Sequence, residues 1–231
     1  ERSVCMKLEY FFPSARGGEN DTRLCVESGR VLGVLAPTGC GKTPLLKSLC
    51  GFAFPEEGYV LLDGEPVTDK NRSLFSFVPD LDFYDVGERV GKVVRLFSSL
   101  FIDFDSSGAH EALEYYGISE ADRVSSLSEA DRQLFRLILG SCRRADFYVF
   151  DEPLRNFDTE RRNEILKKIF SEKKRAAFVV STSRPYGVSA LFDDVCFVFE
   201  GRPRLVSDVP SLVGTLGKKL SQIFSEVYGC S

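Results

Sequence analysis

The residues best suited to chemistry in this chain lie close together, in the stretch Ala36–Thr43. An apolar run leads into this stretch, which contains two glycines and ends in Lys-Thr. Gly39 and Gly41 permit backbone angles that are forbidden to residues with a side chain, so the loop can turn its amide groups toward one centre. These amides and the N-terminus of a helix beginning near Thr43 would create a positive potential that suits phosphate groups. The stretch therefore predicts a cradle for the phosphates of a nucleotide.

The side chains of the loop support this interpretation. Lys42 would reach the β and γ phosphates, and the Thr43 hydroxyl would be a ligand of Mg²⁺. Pro44 falls in the first helical turn, where a missing N–H costs nothing. Cys40 is either a reactive thiol beside the phosphates or simply a small residue that fits the loop. The full pattern G-x-x-x-x-G-K-S/T has glycine where this chain has Ala36.

A second group of candidate residues follows an apolar strand that we predict at Phe147–Phe150. This strand delivers Asp151 and Glu152 at its carboxyl end, and Pro153 follows at once. In proteins with a phosphate loop of this kind, a carboxylate at this place holds the metal ion. The alternative is that Asp-Glu-Pro merely ends the strand, but the upstream loop favours a metal site.

Composition and charge restrict the class of protein. The 231 residues are 43% hydrophobic, which is enough for a sizeable core. The net charge is −4, from 30 basic and 34 acidic residues, so we expect no nucleic-acid partner, because proteins that bind the phosphate backbone carry a basic surface. No apolar run approaches the roughly 20 residues needed to span a bilayer, and no signal peptide is indicated. Any contact with a membrane would be made through a partner.

Cysteine and histidine usage argues against other kinds of site. The seven cysteines are odd in number and show no C-x-x-C spacing, which disfavours a disulfide framework and a zinc site and predicts a reduced, cytosolic protein. They are Cys5, Cys25, Cys40, Cys50, Cys142, Cys196 and Cys230. His110 is the only histidine, which nearly excludes a metal site or a catalytic triad based on histidine.

The elements that must position these residues alternate between strands and helices. Strands are predicted at Val4–Tyr10, Arg23–Glu27, Val31–Leu35, Tyr59–Leu62, Leu74–Val78, Phe147–Phe150, Ala177–Ser181 and Val195–Phe199. Asp63–Gly64, directly after Tyr59–Leu62, predicts a two-residue hairpin turn. Helices are predicted from near Thr43 to Leu49 and at Val86–Phe101, Ala109–Tyr116 and Ser211–Tyr228, with two more capped by Ser128 and Asp158. In the last of the four, Leu212, Leu216, Leu220 and Phe224 lie at helical spacing on one apolar face. This alternation implies a mainly parallel sheet that is covered on both faces. Tyr10, Phe11 or Phe12 could stack on an adenine ring, although core packing is the commoner use of such side chains.

The order of these parts resembles the ATPase subunit of an ATP-binding cassette (ABC) transporter. The phosphate loop is followed by a helical insertion, a helix start at Leu127–Ser128 and the segment Phe147–Pro153. The resemblance covers nearly the whole chain and implies an α/β fold of the P-loop NTPase (RecA-like) kind, with a parallel sheet core, an N-terminal antiparallel β part and an inserted helical subdomain. It also implies a single domain whose core comprises residues 1–79 and 128–231 and whose helical insertion comprises residues 80–127.

The resemblance assigns functions to particular residues and cofactors. It implies binding of ATP and Mg²⁺, with Glu152 polarising the attacking water and the metal held by Thr43, Asp80 and Asp151. The residues expected to contact ATP are Gly39, Cys40, Gly41, Lys42, Thr43, Pro44 and Ser128.

Besides Ala36, three segments depart from the family pattern. The family has Val-Pro-Gln where this chain has Val78–Pro79–Asp80, whose carboxylate can still reach Mg²⁺ or water. The signature Leu-Ser-Gly-Gly-Gln, which contacts the ATP held by the opposite subunit, is replaced by Leu127–Ser128–Glu129–Ala130–Asp131, and two carboxylates there would repel phosphate. Ser183 stands at the place of a switch histidine, and loss of that hydrogen bond predicts slower hydrolysis.

Two functions remain open at the level of sequence. The first is an ATP-binding and ATP-hydrolysing subunit that couples ATP-driven dimerisation to an integral membrane transporter subunit, and the intact phosphate loop and Glu152 favour it. The second is a hydrolysis-poor regulatory module of a heteromeric cassette complex, which Glu129, Asp131 and Ser183 favour. Either protein would lie in the cytoplasm, at the inner face of the cell membrane through its partner. A second ATPase subunit is expected in both cases, and the altered signature favours a heterodimer over a homodimer.

Overall fold

The computed structural model describes residues 6–13, 22–55, 57–187 and 189–229. The predicted start of the first strand at Val4 and the cysteines Cys5 and Cys230 lie outside these residues. The strands are β1 Lys7–Phe12, β2 Thr22–Glu27, β3 Val31–Leu35, β4 Tyr59–Leu62, β5 Glu65–Pro66, β6 Phe75–Val78, β7 Phe147–Phe150, β8 Ala177–Thr182, β9 Asp194–Phe199 and β10 Arg202–Asp208. The helices are α1 Lys42–Leu49, α2 Val90–Leu100, α3 Ser106–Tyr116, α4 Glu129–Ser141, α5 Thr159–Glu172, α6 Val209–Leu216 and α7 Leu220–Tyr228.

Among the described residues, six strands form the larger sheet, in the order β10-β9-β3-β8-β7-β6. All neighbours are parallel except β10, which pairs antiparallel with β9 at one edge. Strands β7 and β8 are buried along their whole length, and both are apolar without alternation except for Ser181 and Thr182 at the end of β8. Because the central strands are parallel, Leu35, Val78, Phe150 and Thr182 all end at one edge of the sheet.

A smaller antiparallel sheet precedes the helical part of the chain, with the strand order β2-β1-β4-β5. The turn between β4 and β5 is made by Asp63 and Gly64, which have φ angles of 51° and 85°. Left-handed angles at both central residues are typical of a tight hairpin, and Asp-Gly is a preferred sequence for it. The hairpin predicted at Asp63–Gly64 is therefore confirmed.

The larger sheet separates two hydrophobic cores. Leu32 and Val34 of β3 lie in the core shared with α1 and the small sheet. Val31 and Leu35 lie in the core shared with helices α2 to α7. This division follows from the two-residue period of a strand, which sends successive side chains to opposite faces. The prediction of a mainly parallel sheet covered on both faces, with an antiparallel part near the N-terminus, is confirmed.

Two helix predictions need correction. The single helix predicted at Ser211–Tyr228 is wrong, because Gly217 adopts a left-handed conformation with φ 62° and ends α6 before α7 begins. Leu216, predicted to share the apolar face, is consequently 48% exposed. The helix predicted from Val86 begins only at Val90, because the Val86 carbonyl accepts a hydrogen bond from the Ser125 N–H.

Candidate nucleotide site

The glycine-rich loop lies between helix α1 and strand β3, which is the neighbour of β9 in the larger sheet. Gly39 and Gly41 both have φ 86°, the left-handed region that glycine enters without strain. Gly41 is required for a second reason, since a Cβ there would lie 2.5 Å from the Cα of Gly201. The Gly201 N–H also donates to the Cys40 carbonyl over 2.9 Å. The turn between β9 and β10 therefore braces the loop, a contact that the sequence did not predict.

Lys42 is the best-placed cation at the loop. Its side chain is 6% exposed, and Nζ donates to the carbonyl oxygens of Ala36 at 2.8 Å and Pro37 at 3.1 Å. Nζ also forms an ion pair with Glu152 Oε1 at 3.0 Å. Ala36 contributes only its main-chain carbonyl oxygen, an atom that every residue has. Alanine in place of the glycine of the full pattern therefore leaves the position of Lys42 unchanged. The loop and the carboxyl end of β7 are thereby joined through one buried charge pair.

The two predicted magnesium ligands contact each other. Thr43 Oγ1 donates to Asp151 Oδ2, which places a hydroxyl and a carboxylate side by side at the start of α1. Within the described chain no three His, Cys, Asp or Glu side chains converge on a point that could hold a metal ion by themselves. Thr43 Oγ1 and Asp151 Oδ2 together fit Mg²⁺, which uses one or two protein oxygens and takes its remaining ligands from phosphate oxygens and water.

Glu152 is held by its backbone and by its carboxylate. It has a left-handed φ of 47°, which is uncommon for a residue with a side chain. Its N–H donates to Ser181 Oγ over 2.9 Å, and its Oε2 accepts from the Ser183 N–H over 3.1 Å. Ser183, which the resemblance puts at the place of a switch histidine, thus approaches the site through its main chain. Ser181 was not singled out from the sequence, where a polar residue at the end of an apolar run was the available signal.

Asp80 follows β6 and lies near the other carboxylates, but its direct partner is Arg155. Asp80 Oδ2 is 3.0 Å from Arg155 Nη1, while Asp80 Oδ1 is buried and has no hydrogen-bond partner among the described residues. Burial raises the pKa of the Asp80 carboxyl; Arg155 opposes this rise, and the charges of Asp151 and Glu152 add to it. The sequence did not predict the Arg155 contact. Metal binding by Asp80 stays a prediction.

Ser128 lies at the N-terminus of α4, as predicted, and its hydroxyl forms hydrogen bonds within the first turn of this helix. Ser128 Oγ accepts from the Asp131 N–H over 3.1 Å and donates to Asp131 Oδ2 over 2.7 Å. Glu129 is paired with Arg132 and lies 3.7 Å from Arg136. Among the described residues Ser128 has no hydrogen bond to the phosphate loop, so the structure does not bring it together with Lys42 and Thr43.

A pocket of ≈ 350 Å³ adjoins the loop on the side of the small sheet. Tyr10 and Phe12 line it and stack on each other with ring centroids 3.7 Å apart. Phe11 points to the other face of β1, where it stacks on Tyr59 at 5.0 Å. Of the three aromatic candidates for base stacking, Tyr10 and Phe12 line this pocket, but both are buried in the core, with 3% and 6% exposure. Cys40 and Pro44, the latter in the first turn of α1 as predicted, also line this pocket.

Comparison with known proteins gives a consistent result. A family model described as ABC transporter matches residues 20–155. The chain is similar to the Fe(3+) ions import ATP-binding protein FbpC 1 of Pectobacterium atrosepticum, with 27% identity over 158 residues that cover 65% of this chain and 45% of that protein. It is also similar to the ABC transporter ATP-binding protein YtrB of Bacillus subtilis, with 23% identity over 197 residues that cover 83% of this chain and 67% of that protein. The chain thus spans about half the length of the first of these relatives.

The fold has close counterparts among solved structures. One, described as the structure of an ATP binding subunit of an ABC transporter, superposes with a TM-score of 0.78 and covers 97% of this chain and 99% of that one. The sequence identity is 15%, so the likeness concerns the fold. No helix in the described part of this chain is long and apolar enough to cross a membrane.

Proposed function

Because the chain belongs to the ABC transporter family, we propose that it is an ATP-binding and ATP-hydrolysing subunit of such a transporter. ATP hydrolysis is the general activity of this family. The observation that carries the proposal for this chain is the 3.0 Å ion pair between Lys42 and Glu152. It brings the phosphate loop and the proposed catalytic carboxylate, which are far apart in sequence, to one point at the edge of the sheet.

Each residue of the site receives a role in this proposal. The amides around Gly39 and Gly41 and the Lys42 ammonium bind the phosphates, which concentrates positive charge where negative charge develops during transfer. Thr43 and Asp151 hold Mg²⁺, which neutralises charge on the phosphate oxygens. Glu152 orients the attacking water and accepts its proton. The pocket beside the loop, lined by Tyr10 and Phe12, receives the base.

The proposal extends to the domain and its membrane partner. We regard residues 80–127 as an insertion in a single domain whose core is residues 1–79 and 128–231. An apolar groove of ≈ 740 Å³ lies between the insertion and the core, and Ile102 at its edge is fully exposed. This groove is the surface that we assign to an integral membrane subunit, with the chain on the cytoplasmic side. Its apolar lining includes Phe52, Phe77, Phe83, Phe97, Leu100 and Ile102.

One observation favours the second candidate, a hydrolysis-poor module of a heteromeric complex. The signature serine should donate to the phosphate of the ATP bound by the opposite subunit, but Ser128 Oγ donates to Asp131 within its own chain. This chain would then serve its partner's ATP site poorly, while its own Lys42 and Glu152 remain available. The two candidates therefore differ in turnover and in the choice of partner, and agree on binding of Mg-ATP.

Titration of the protein with a fluorescent ATP analogue in the presence of Mg²⁺ tests the proposal. The wild type should bind, and Lys42→Ala should weaken binding by roughly a hundredfold or more, because charge-assisted contacts to phosphate are strong. Lys47→Ala, which removes an exposed lysine five residues further along α1, is the matched control and should bind as the wild type does. Equal affinity of the wild type and Lys42→Ala would show that the site is assigned wrongly.

Turnover by Glu152→Gln separates binding from chemistry. The amide keeps the shape of the side chain and removes the base, so binding should persist and hydrolysis should fall by roughly 10²–10⁴-fold. Release of inorganic phosphate from ATP is the measurement, with the same protein preparations used for the titration. An unchanged turnover number would place the base at another residue.

A further inference from the structure

Ser181 is a buried polar residue that the proposed mechanism does not use. It lies in β8 next to β7 and is completely buried, whereas the four residues before it in the strand are apolar. A hydroxyl in such a place needs hydrogen-bond partners, because an unpaired polar group is costly to bury. Its partners are both in the two-residue segment that follows β7.

Ser181 makes two hydrogen bonds of opposite sense. Its Oγ donates to Asp151 Oδ1 over 2.6 Å and accepts from the Glu152 N–H over 2.9 Å. A hydroxyl can do both at once, because it carries one donor and two acceptor lone pairs. One atom thus contacts the proposed magnesium ligand and the backbone of the proposed general base.

The contact with Asp151 determines which carboxylate oxygen faces the loop. Because Ser181 occupies Oδ1, Oδ2 is the oxygen that meets Thr43 Oγ1. The two protein oxygens proposed to hold Mg²⁺ are therefore aligned from opposite sides, one by α1 and one by β8. Without Ser181 the carboxylate would lose the partner that fixes its rotation.

The contact with Glu152 supports an unusual backbone conformation. A left-handed φ of 47° persists only where neighbouring structure holds it. The Ser181 hydroxyl accepts a hydrogen bond from the Glu152 N–H. The Ser183 N–H, two residues after Ser181, donates a hydrogen bond to Glu152 Oε2. The end of β8 thereby holds Glu152 at both its main chain and its side chain.

From these contacts we infer that Ser181 is a positioning residue that aligns Asp151 for Mg²⁺ and Glu152 for catalysis. The inference rests on the proposed function, since it concerns how the same site is organised. Removal of the hydroxyl leaves Asp151 Oδ1 and the Glu152 N–H without this partner, and it removes no direct contact of the phosphate-binding groups of the loop. The defect should therefore appear in the response to the metal and in turnover, and only weakly in binding of the metal-free nucleotide.

The test compares Ser181→Ala with the wild type by titration of a fluorescent ATP analogue, once with EDTA and once with Mg²⁺. In EDTA the two proteins should differ by less than about threefold, whereas the gain in affinity on adding Mg²⁺ should be roughly tenfold smaller in the variant. At saturating Mg²⁺ the kcat should fall by roughly tenfold with KM nearly unchanged. A purely structural role for Ser181 would lower stability without this selective loss of the metal response.

Ser76→Ala is the matched control. Ser76 is also a buried serine of the same sheet, in β6, and its Oγ donates to the Gly140 carbonyl over 2.7 Å, away from the loop. This variant loses a comparable hydrogen bond and should retain the full gain in affinity on adding Mg²⁺. An equal loss in both variants would mean that general destabilisation is the cause, and the inference would be overturned.

A second variant keeps the test decisive if Ser181→Ala does not fold. Ser181→Cys keeps a γ atom that can donate and accept and weakens both hydrogen bonds, so an intermediate loss of the Mg²⁺ response is expected. A wild-type response in whichever variant folds overturns the role of Ser181 and leaves the proposed function standing. Failure of the wild type to bind any nucleotide overturns the proposed function and this inference together.

Discussion

Asp80 and Arg155 form the least expected charge pair of the site. Where the family pattern has a glutamine, this chain has a carboxylate, and the residue that neutralises it comes from the segment after β7. Burial and the nearby charges of Asp151 and Glu152 raise the pKa of the Asp80 carboxyl, so ionisation of Asp80 costs folding free energy. Arg155 offsets this cost. The two residues should consequently respond to mutation unequally.

Arg155→Met is predicted to destabilise the protein more than Asp80→Asn. Arg155→Met leaves the ionised Asp80 carboxylate beside two others, at a cost of about 1–2 kcal/mol after allowance for partial exposure. Asp80→Asn removes the charge that is costly to bury and should cost less than about 1 kcal/mol. The free energy of unfolding in urea at neutral pH measures both. The double variant, Asp80→Asn with Arg155→Met, should be more stable than Arg155→Met alone.

The pH dependence of Arg155→Met provides a separate check. A carboxyl whose pKa is higher in the folded than in the unfolded state is penalised above its folded pKa and not below its usual value of 3.8. The deficit of Arg155→Met relative to the wild type should therefore shrink as the pH falls from neutral to mildly acidic. A deficit that is the same at both pH values, or equal to that of Asp80→Asn, would contradict the role given to this pair.

At the scale of elements, the contact between α4 and β6 positions two parts of the site. Gly140 of α4 packs so closely on β6 that a Cβ would lie 2.0 Å from Val78 Cγ2. Helix α4 begins next to Ser128, and β6 ends two residues before Asp80. The packing of α4 on β6 thus determines where Ser128 and Asp80 lie.

Gly140→Ala is predicted to destabilise the protein by about 1–3 kcal/mol, because the added methyl group overpacks the interface. Gly214→Ala is the matched control, since a Cβ at this position in α6 would have no atom within 4 Å. Relative to alanine, glycine destabilises a helix by roughly 0.5–1 kcal/mol, so the control should be neutral or slightly stabilising. Unfolding midpoints in urea distinguish the two. Equal midpoints would show that α4 can shift away from Val78 without cost.

For the whole molecule, the question is which partner completes the ATP sites. In the head-to-tail dimer that the resemblance implies, the signature of each subunit faces the phosphate loop of the other. The hydroxyl of Ser128 is engaged by Asp131, and Glu129 is held by Arg132, so the signature offers acceptors rather than donors to a phosphate. A homodimer would carry this defect at both sites. A partner with an intact signature would leave one complete site, built on Lys42 and Glu152 of this chain.

We therefore predict that the isolated chain dimerises weakly with ATP, and that restoring the signature strengthens dimerisation. The change is Glu129→Gly, Ala130→Gly and Asp131→Gln, made in the Glu152→Gln background so that ATP persists. Removing the two carboxylates and freeing the serine should lower the dimer dissociation constant by roughly tenfold or more, measured by sedimentation with Mg-ATP.

The control for this experiment removes two carboxylates elsewhere. Glu111→Gln and Glu114→Gln change the same number of charges at exposed positions of α3. This variant should dimerise as weakly as the parent. A tight ATP-dependent homodimer of the chain with its natural signature would contradict the proposal of a heteromeric complex.

The sequence by itself determined the parts of the site that depend on local rules. The strand Val31–Leu35 and the strand Phe147–Phe150 have the predicted bounds, because continuous apolar runs ended by turn residues leave little choice. Ser128 and Asp158 cap their helices as predicted, since a side chain needs only its own next turn to do so. The glycine-rich loop and the start of α1 were likewise predictable from the local sequence.

Only the tertiary structure decided which of these parts meet. Thr43 and Asp151 are 108 residues apart in the chain, and Ser181 lies 30 residues from Asp151, so their contacts depend on the order of strands in the sheet. The break at Gly217 escaped prediction because the apolar spacing continues across it, and glycine allows a helix or a left-handed turn equally well. Arg155, the ion-pair partner of Asp80, could not be predicted from the sequence either. An ion pair between distant residues is set by packing, and no local pattern in the sequence encodes it.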